Sequence, residues 1–233
     1  MKEFMLQTKW QFILLARNNI ISLSVIVTLI YIGLFFGIRH LGNMEKLVTL
    51  IILNDPAIIG LFFIGISILL EKNQQVLSAL FVTPINHHTY LVSRVLVLSL
   101  VGWFCALGMG LAALGTDFNL LHFSFGVFGI CILSCLAGIY LVCFSSEFMK
   151  FILKTIPVLL LFINLPMLNY FGVTDVWWFR LLPAQGSLDL IINSYRETPV
   201  TQEILLGYLS ILFWGGLLYA LVYRTFQAKI VNT

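Results

Sequence analysis

The sequence predicts an all-α, polytopic membrane protein with six spanning helices, and three observations carry that reading. Of 233 residues, 60% are hydrophobic and 10% charged, with a mean hydropathy of +1.01, whereas soluble domains carry about 25% charged residues. Six apolar runs approach the ~20 residues needed to cross a hydrocarbon core. The runs are continuous rather than alternating, so they satisfy their backbone groups as helices and not as barrel strands. A net charge of +3 spread over scattered basic residues excludes a polyanionic partner, and nucleic acid with it.

Taken in order, residues 1–19 read as an interfacial helix. Leu6, Trp10, Ile13 and Leu14 recur at helical spacing, and Lys2, Lys9 and Arg17 are available for headgroups. Charges interleaved with apolar residues, with no small-residue cleavage site after 20–38, argue against a cleavable leader. The spans are expected at Ile20–Ile38, Leu47–Leu70, Tyr90–Leu114, Phe123–Phe144, Phe151–Phe171 and Ile204–Tyr223. Within the second, Asp55 precedes Pro56. An ionisable group at membrane depth is a functional candidate; alternatively, Asp55 caps a helix that starts at Pro56.

Between the second and third spans lies EKNQQVLSALFVTPINHHTYLVSR, residues 71–94. Leu77, Leu80 and Phe81 fall at i, i+3 and i+4, an amphipathic turn that Thr83-Pro84 ends. Ordinary interhelical connections take 2–8 residues, so a segment of about 20 has room for a docking surface.

Gly102, Ala106 and Gly110 in the third span, with Gly126, Ser134 and Gly138 in the fourth, predict close helix contacts. The four cysteines, 105, 131, 135 and 143, share those spans and read as small packing residues. Pro157, Asn164, Pro166 and Asn169 predict a kinked fifth span turned toward the bundle interior or a partner subunit. In the connection 174–203, Leu188, Ile191, Ile192 and Tyr195 follow a helical repeat opposite Asp189, Asn193 and Arg196. With Trp177 and Trp178 at interface level, this predicts short re-entrant or interfacial helices before the last span.

With the N-terminus inside, nine of the 13 Lys and Arg fall on cytoplasmic segments, so the positive-inside rule places both termini in the cytoplasm. The sequence has no GxxxxGK[ST], GxSxG or HExxH motif, so no catalytic residue is assigned. Adjacent His87 and His88 point about 100° apart on a helix and make a poor chelating pair, so no metal site is assigned either.

The run from Glu71 to Arg94 resembles the segment after the second span in ABC-2 type permeases of ATP-binding-cassette transporters. The matching positions are Glu71, Leu77, Leu80, Thr83, Pro84, Tyr90, Leu91 and Arg94, and Asp55-Pro56 echoes the subgroup resembling fluoroquinolone exporters. Gln74-Gln75 depart from the acidic residue and Gly usual there. The resemblance implies one transmembrane domain over 1–233, with 71–89 as a cytoplasmic coupling segment. It implies docking of a separate ATP-binding subunit through Glu71, Leu77, Leu80, Phe81, Thr83 and Pro84, together with the interfacial helix. Glu71 would steady that junction by pairing with a basic group. A second permease subunit, the same or a related chain, would complete the transporter in the bacterial cytoplasmic membrane. The chain itself would bind no cofactor; ATP and Mg would sit on the partner. The cargo would be an apolar or amphipathic drug, peptide or lipid-like molecule leaving the cytoplasm or inner leaflet. Asp55, Asn164, Asn169, Leu188, Ile191 and Ile192 are the candidate pathway or gate residues. The alternative is an ATP-independent channel or membrane scaffold.

Overall fold

A computed structural model describes residues 2–38, 44–75, 77, 87–174 and 176–231. Six helices are long and apolar enough to span a membrane: 20–37, 45–73, 87–114, 120–143, 148–171 and 201–230. The sixth is longer than its sequence predicts, because Arg224 and Lys229 do not end it; a wider π turn, Gln227–Val231, continues it.

Helix α1 (Lys2–Arg17) leads into α2 (Ile20–Ile38), the first span, through Asn19 at φ 58°. The second span is α3 (Met44–Ile58), a π turn (Ile59–Phe63) and α4 (Ile64–Asn73). The third is α5 (His87–Leu114) and the fourth α6 (Leu120–Cys143). The fifth is α7 (Phe148–Val158), a π turn (Leu159–Asn164) and α8 (Leu165–Phe171). A 3-10 turn (Trp177–Leu181) and α9 (Pro183–Tyr195) precede α10 (Thr201–Phe226), the last span. We call the end carrying α1 and the segment after α4 the base, and the end carrying α9 the crown.

Both broken spans break just after a proline. Pro56 lies inside α3 and Pro157 inside α7, and each is followed within a turn by π geometry. Proline lacks the donor its turn needs and crowds the carbonyl four residues back, so the register widens beyond it. Asp55 therefore does not cap a new helix at Pro56: α3 runs unbroken through both residues, which corrects that expectation.

The fourth span is the hub, packing against the second, third and sixth spans and α9. Its small residues explain how. A Cβ on Gly138 would come within 2.5 Å of the Leu61 carbonyl, and one on Gly60 within 2.7 Å of the Cys131 carbonyl. The backbones of the second and fourth spans thus touch where the π turn bulges, a packing that apolar contact in lipid rewards. Gly126 instead faces Ser187 and Ile191 of α9. The four cysteines are buried and free.

The fifth span turns much of its surface outward. Leu153, Ile156, Leu160, Leu161 and Phe162 are exposed, while Phe151, Thr155, Ile163 and Met167 face the bundle. Helix α1 divides its faces in the same way. Leu15 and Gln11 are buried, and Leu6, Trp10 and Ile13 are exposed, as an apolar stripe laid on lipid requires.

Candidate functional site

At the base, two pairs of residues one helical turn apart face each other across the second and third spans. Ser67 and Glu71 lie on α4, Tyr90 and Arg94 on α5, and all four are buried. Arg94 Nη1 donates to Glu71 Oε2 at 2.7 Å and to the Tyr90 hydroxyl, while Nη2 donates to the Ser67 hydroxyl. The Tyr90 hydroxyl donates to the same Glu71 oxygen at 2.7 Å. The Arg94 guanidinium lies 5.3 Å from the Tyr90 ring centroid, and that ring stacks on Phe226 of the last span at 6.0 Å. The basic partner expected for Glu71 is therefore Arg94. Two charges taken out of water need both mutual geometry and further hydrogen bonds to be tolerated, and Tyr90 and Ser67 supply them. Sequence alone could not pair residues 23 positions apart; an acidic and a basic residue flanking one connection were the only signal.

Leu77 is 3% exposed and belongs to the core cluster that contains Leu15, Tyr90 and Phe226. It anchors the connecting segment to the bundle and offers no surface to a partner, which corrects its expected place on a docking face. Leu80, Phe81, Thr83 and Pro84 lie outside the described residues. Leu6, Trp10 and Ile13 remain exposed at the same end, with Leu14 half-buried. Next to the knot, His88 Nδ1 lies 2.8 Å from the Tyr219 hydroxyl, and its ring stacks on Tyr223 at 3.7 Å. The third and last spans are thereby fastened at the base.

Midway, Asp55 is 5% exposed, and its Oδ2 has no hydrogen-bond partner among the described residues. Asn164 Nδ2 donates to the Leu159 carbonyl at 3.3 Å, inside the π turn after Pro157. That amide serves the loosened backbone.

The crown is organised by side chains that close loops. Asn119 caps α6 through its side-chain oxygen, 3.0 Å from the Leu121 backbone amide, and its backbone N–H donates to the Ser194 carbonyl at 2.7 Å. Asn169 holds the turn after α8, donating to the Val176 carbonyl at 2.7 Å and accepting from the Thr174 hydroxyl at 2.9 Å and the Val176 amide. Thr49, Tyr170 and Tyr195 share a hydroxyl cluster that ties the second span, α8 and α9 together. Behind them opens a cavity of about 820 Å³. Asn169, Leu188 and Ile192 line it, whereas Asp55, Asn164 and Ile191 do not.

The charged lining of this cavity was legible only as the polar side of α9. Arg196 pairs with Glu203 at 3.2 Å, and Glu203 also accepts from Asn193 at 3.0 Å. Asp189 accepts from the Gln185 amide at 2.7 Å. Burial pushes the Asp189 carboxyl up to about 7, opposed by the Gln185 hydrogen bond and by Arg180, with Glu203 adding to the rise.

The profile of the fluoroquinolones export permease protein family matches residues 2–233. The fluoroquinolones export permease proteins of Mycobacterium tuberculosis strains H37Rv and CDC 1551 are each 29% identical over 148 residues, 63% of this chain. The match spans 62% of the length of those relatives. No solved structure matches the chain.

Proposed function

The chain belongs to the fluoroquinolones export permease protein family, and from that premise we propose that it is the membrane subunit of an ATP-driven exporter. A separate ATP-binding-cassette subunit docks at the base and hydrolyses the ATP, and a second permease, the same or a related chain, completes the pathway. The base then faces the cytoplasm, and an apolar or amphipathic cargo leaves toward the crown. The chain is a multi-pass membrane protein with a transport role, and the chemistry of ATP lies outside it.

The observation that supports this reading best is the buried knot of Glu71, Arg94, Tyr90 and Ser67. It sits at the root of the long connection and binds both flanking spans. A push delivered to that connection is passed to two spans as one rigid unit. Coupling of this kind requires contacts that differ between two states, and a rigid root delivers such a difference to the membrane.

The test is reconstitution. The chain would be expressed with a candidate ATP-binding-cassette subunit that co-purifies with it, and uptake of a fluoroquinolone measured in inside-out vesicles. Uptake is expected only with both proteins and ATP. Equal uptake without ATP or without the ATPase would favour the channel. Phe81→Asp should lower recovery of the ATPase with the chain while leaving membrane insertion intact. Unchanged recovery and uptake would reduce the segment to a connector.

A further inference from the structure

The crown cavity does not stand alone. A second space, of about 270 Å³ and almost wholly apolar, lies deeper between the fourth, fifth and sixth spans. Trp214 lines both, and so does the start of α9, with Pro183 and Ala184 on the deep space and Gln185 and Gly186 on the crown cavity. The Trp214 indole is held by a 3.1 Å hydrogen bond from Nε1 to the Leu181 carbonyl, so the divider between the two spaces is fixed by the turn before α9. Along α10 the lining runs from Leu206 to Leu221, roughly 22 Å at ~1.5 Å per residue. The rim of the deep space, at Tyr140, Phe162 and Leu221, is exposed, while its floor at Leu61 and Ile130 is sealed.

The polar atoms of this groove ask for a particular occupant. In the crown cavity Arg196 is spent on Glu203, and among the described residues no cation closes an ion pair on Asp189. Gln185 gives its amide to Asp189, and its own Oε1 is buried without a partner. One buried acceptor, the Gln185 amide oxygen, thus lacks a donor beside a half-buried carboxylate that has a single amide donor, and a buried acceptor lacking a donor is costly. Arg180 lines the same cavity but is exposed. Ser134, on the wall of the deep space, is 3% exposed, and its buried hydroxyl has no partner among the described residues.

We propose that the two spaces form one elongated binding site for an amine-bearing amphipathic molecule. Its ammonium lies at Asp189 and Gln185, Trp214 packs against its middle, and its apolar body fills the cleft lined by Ser134, Ala137 and Leu218. The exposed rim is the entry from the bilayer. This assignment deepens the export reading by naming where and how a cargo is held, but binding needs neither ATP nor an ATPase. Failure of export with intact binding overturns the export reading alone, and failure of binding overturns this site alone.

The test uses the full chain in lipid nanodiscs, with Trp10, Trp103, Trp177 and Trp178 replaced by Phe so that emission reports Trp214. Dodecylamine should bind about tenfold more tightly than dodecanol, the margin of a charge-assisted hydrogen bond, and shift the emission. Asp189→Asn should bring the two probes to equal affinity. Ala137→Phe should weaken both, and Leu218→Phe, at a half-buried position of the last span, serves if the first variant does not fold. Equal binding of amine and alcohol by the parent, a preference that survives Asp189→Asn, or unaltered binding by a folded cleft-filling variant each overturns the proposal. So does efficient crosslinking between copies through a cysteine at position 209 that the amine does not diminish, since the groove is then covered by a second chain.

Discussion

The base and the crown partner their acidic side chains in opposite ways. At the base, Glu71 and Arg94 meet at 2.7 Å and Tyr90 and Ser67 add hydrogen bonds to the pair, while the buried Arg94 Nε has no partner among the described residues. At the crown, Asp189 has one amide donor and an open cavity before it. An ion pair cross-braced by two hydroxyls resists deformation. A half-satisfied carboxylate leaves binding capacity for something else. The difference separates a part suited to transmit from a part suited to hold.

The largest expected effect breaks the closed end. Arg94→Met strands the Glu71 carboxylate in a buried site, and loss of one partner of such a pair costs about 3–5 kcal/mol. Thermal melting in nanodiscs should show a large drop, and Glu71→Leu added to Arg94→Met should recover most of it. If Arg94→Met melts with the parent, the base is not held by this pair and the contrast with the crown collapses.

A smaller effect sharpens the open end. Because the Asp189 carboxyl sits at about 7 when folded against an ordinary 3.8, the folded state keeps a proton that the unfolded chain releases. Stability should therefore be highest below about pH 4, fall as pH rises to about 7, and level off above it. Asp189→Asn should remove that slope. The charged and titratable groups around it are Arg180, Glu203, Arg196 and Tyr170; parallel pH-melting curves of parent and variant would overturn the assignment of the slope to Asp189. Amine binding should strengthen over the same rise in pH, as the carboxylate forms.

The smallest effect concerns the divider. Trp214→Phe removes a single hydrogen bond to the Leu181 carbonyl and should cost about 1 kcal/mol. The melting temperature should fall slightly, while dodecylamine and dodecanol affinities change by the same factor. A change in the amine preference alone would mean that Trp214 contacts the charged end, which would move the proposed seat of the ammonium away from Asp189.

The six spans, the N-terminal helix and the helix before the last span were legible in the sequence, because lipid leaves a backbone no other way to satisfy its bonds and apolar length reports that directly. The exposed stripe of Leu6, Trp10 and Ile13 followed from periodicity alone. Tertiary structure decided which polar groups meet. It joined Glu71 to Arg94, turned Leu77 inward, ran α3 straight through Asp55-Pro56, and used Asn164 and Asn169 to serve loosened backbone. It also set Asp189, Gln185 and Trp214 around shared space. Periodicity reports the direction a residue faces from its own helix, whereas a partner depends on crossings set by glycine contacts such as Gly60 with Cys131 and Gly138 with Leu61. Those crossings arise only when helices distant in sequence are packed together, so the chemistry of both ends had to wait for the fold.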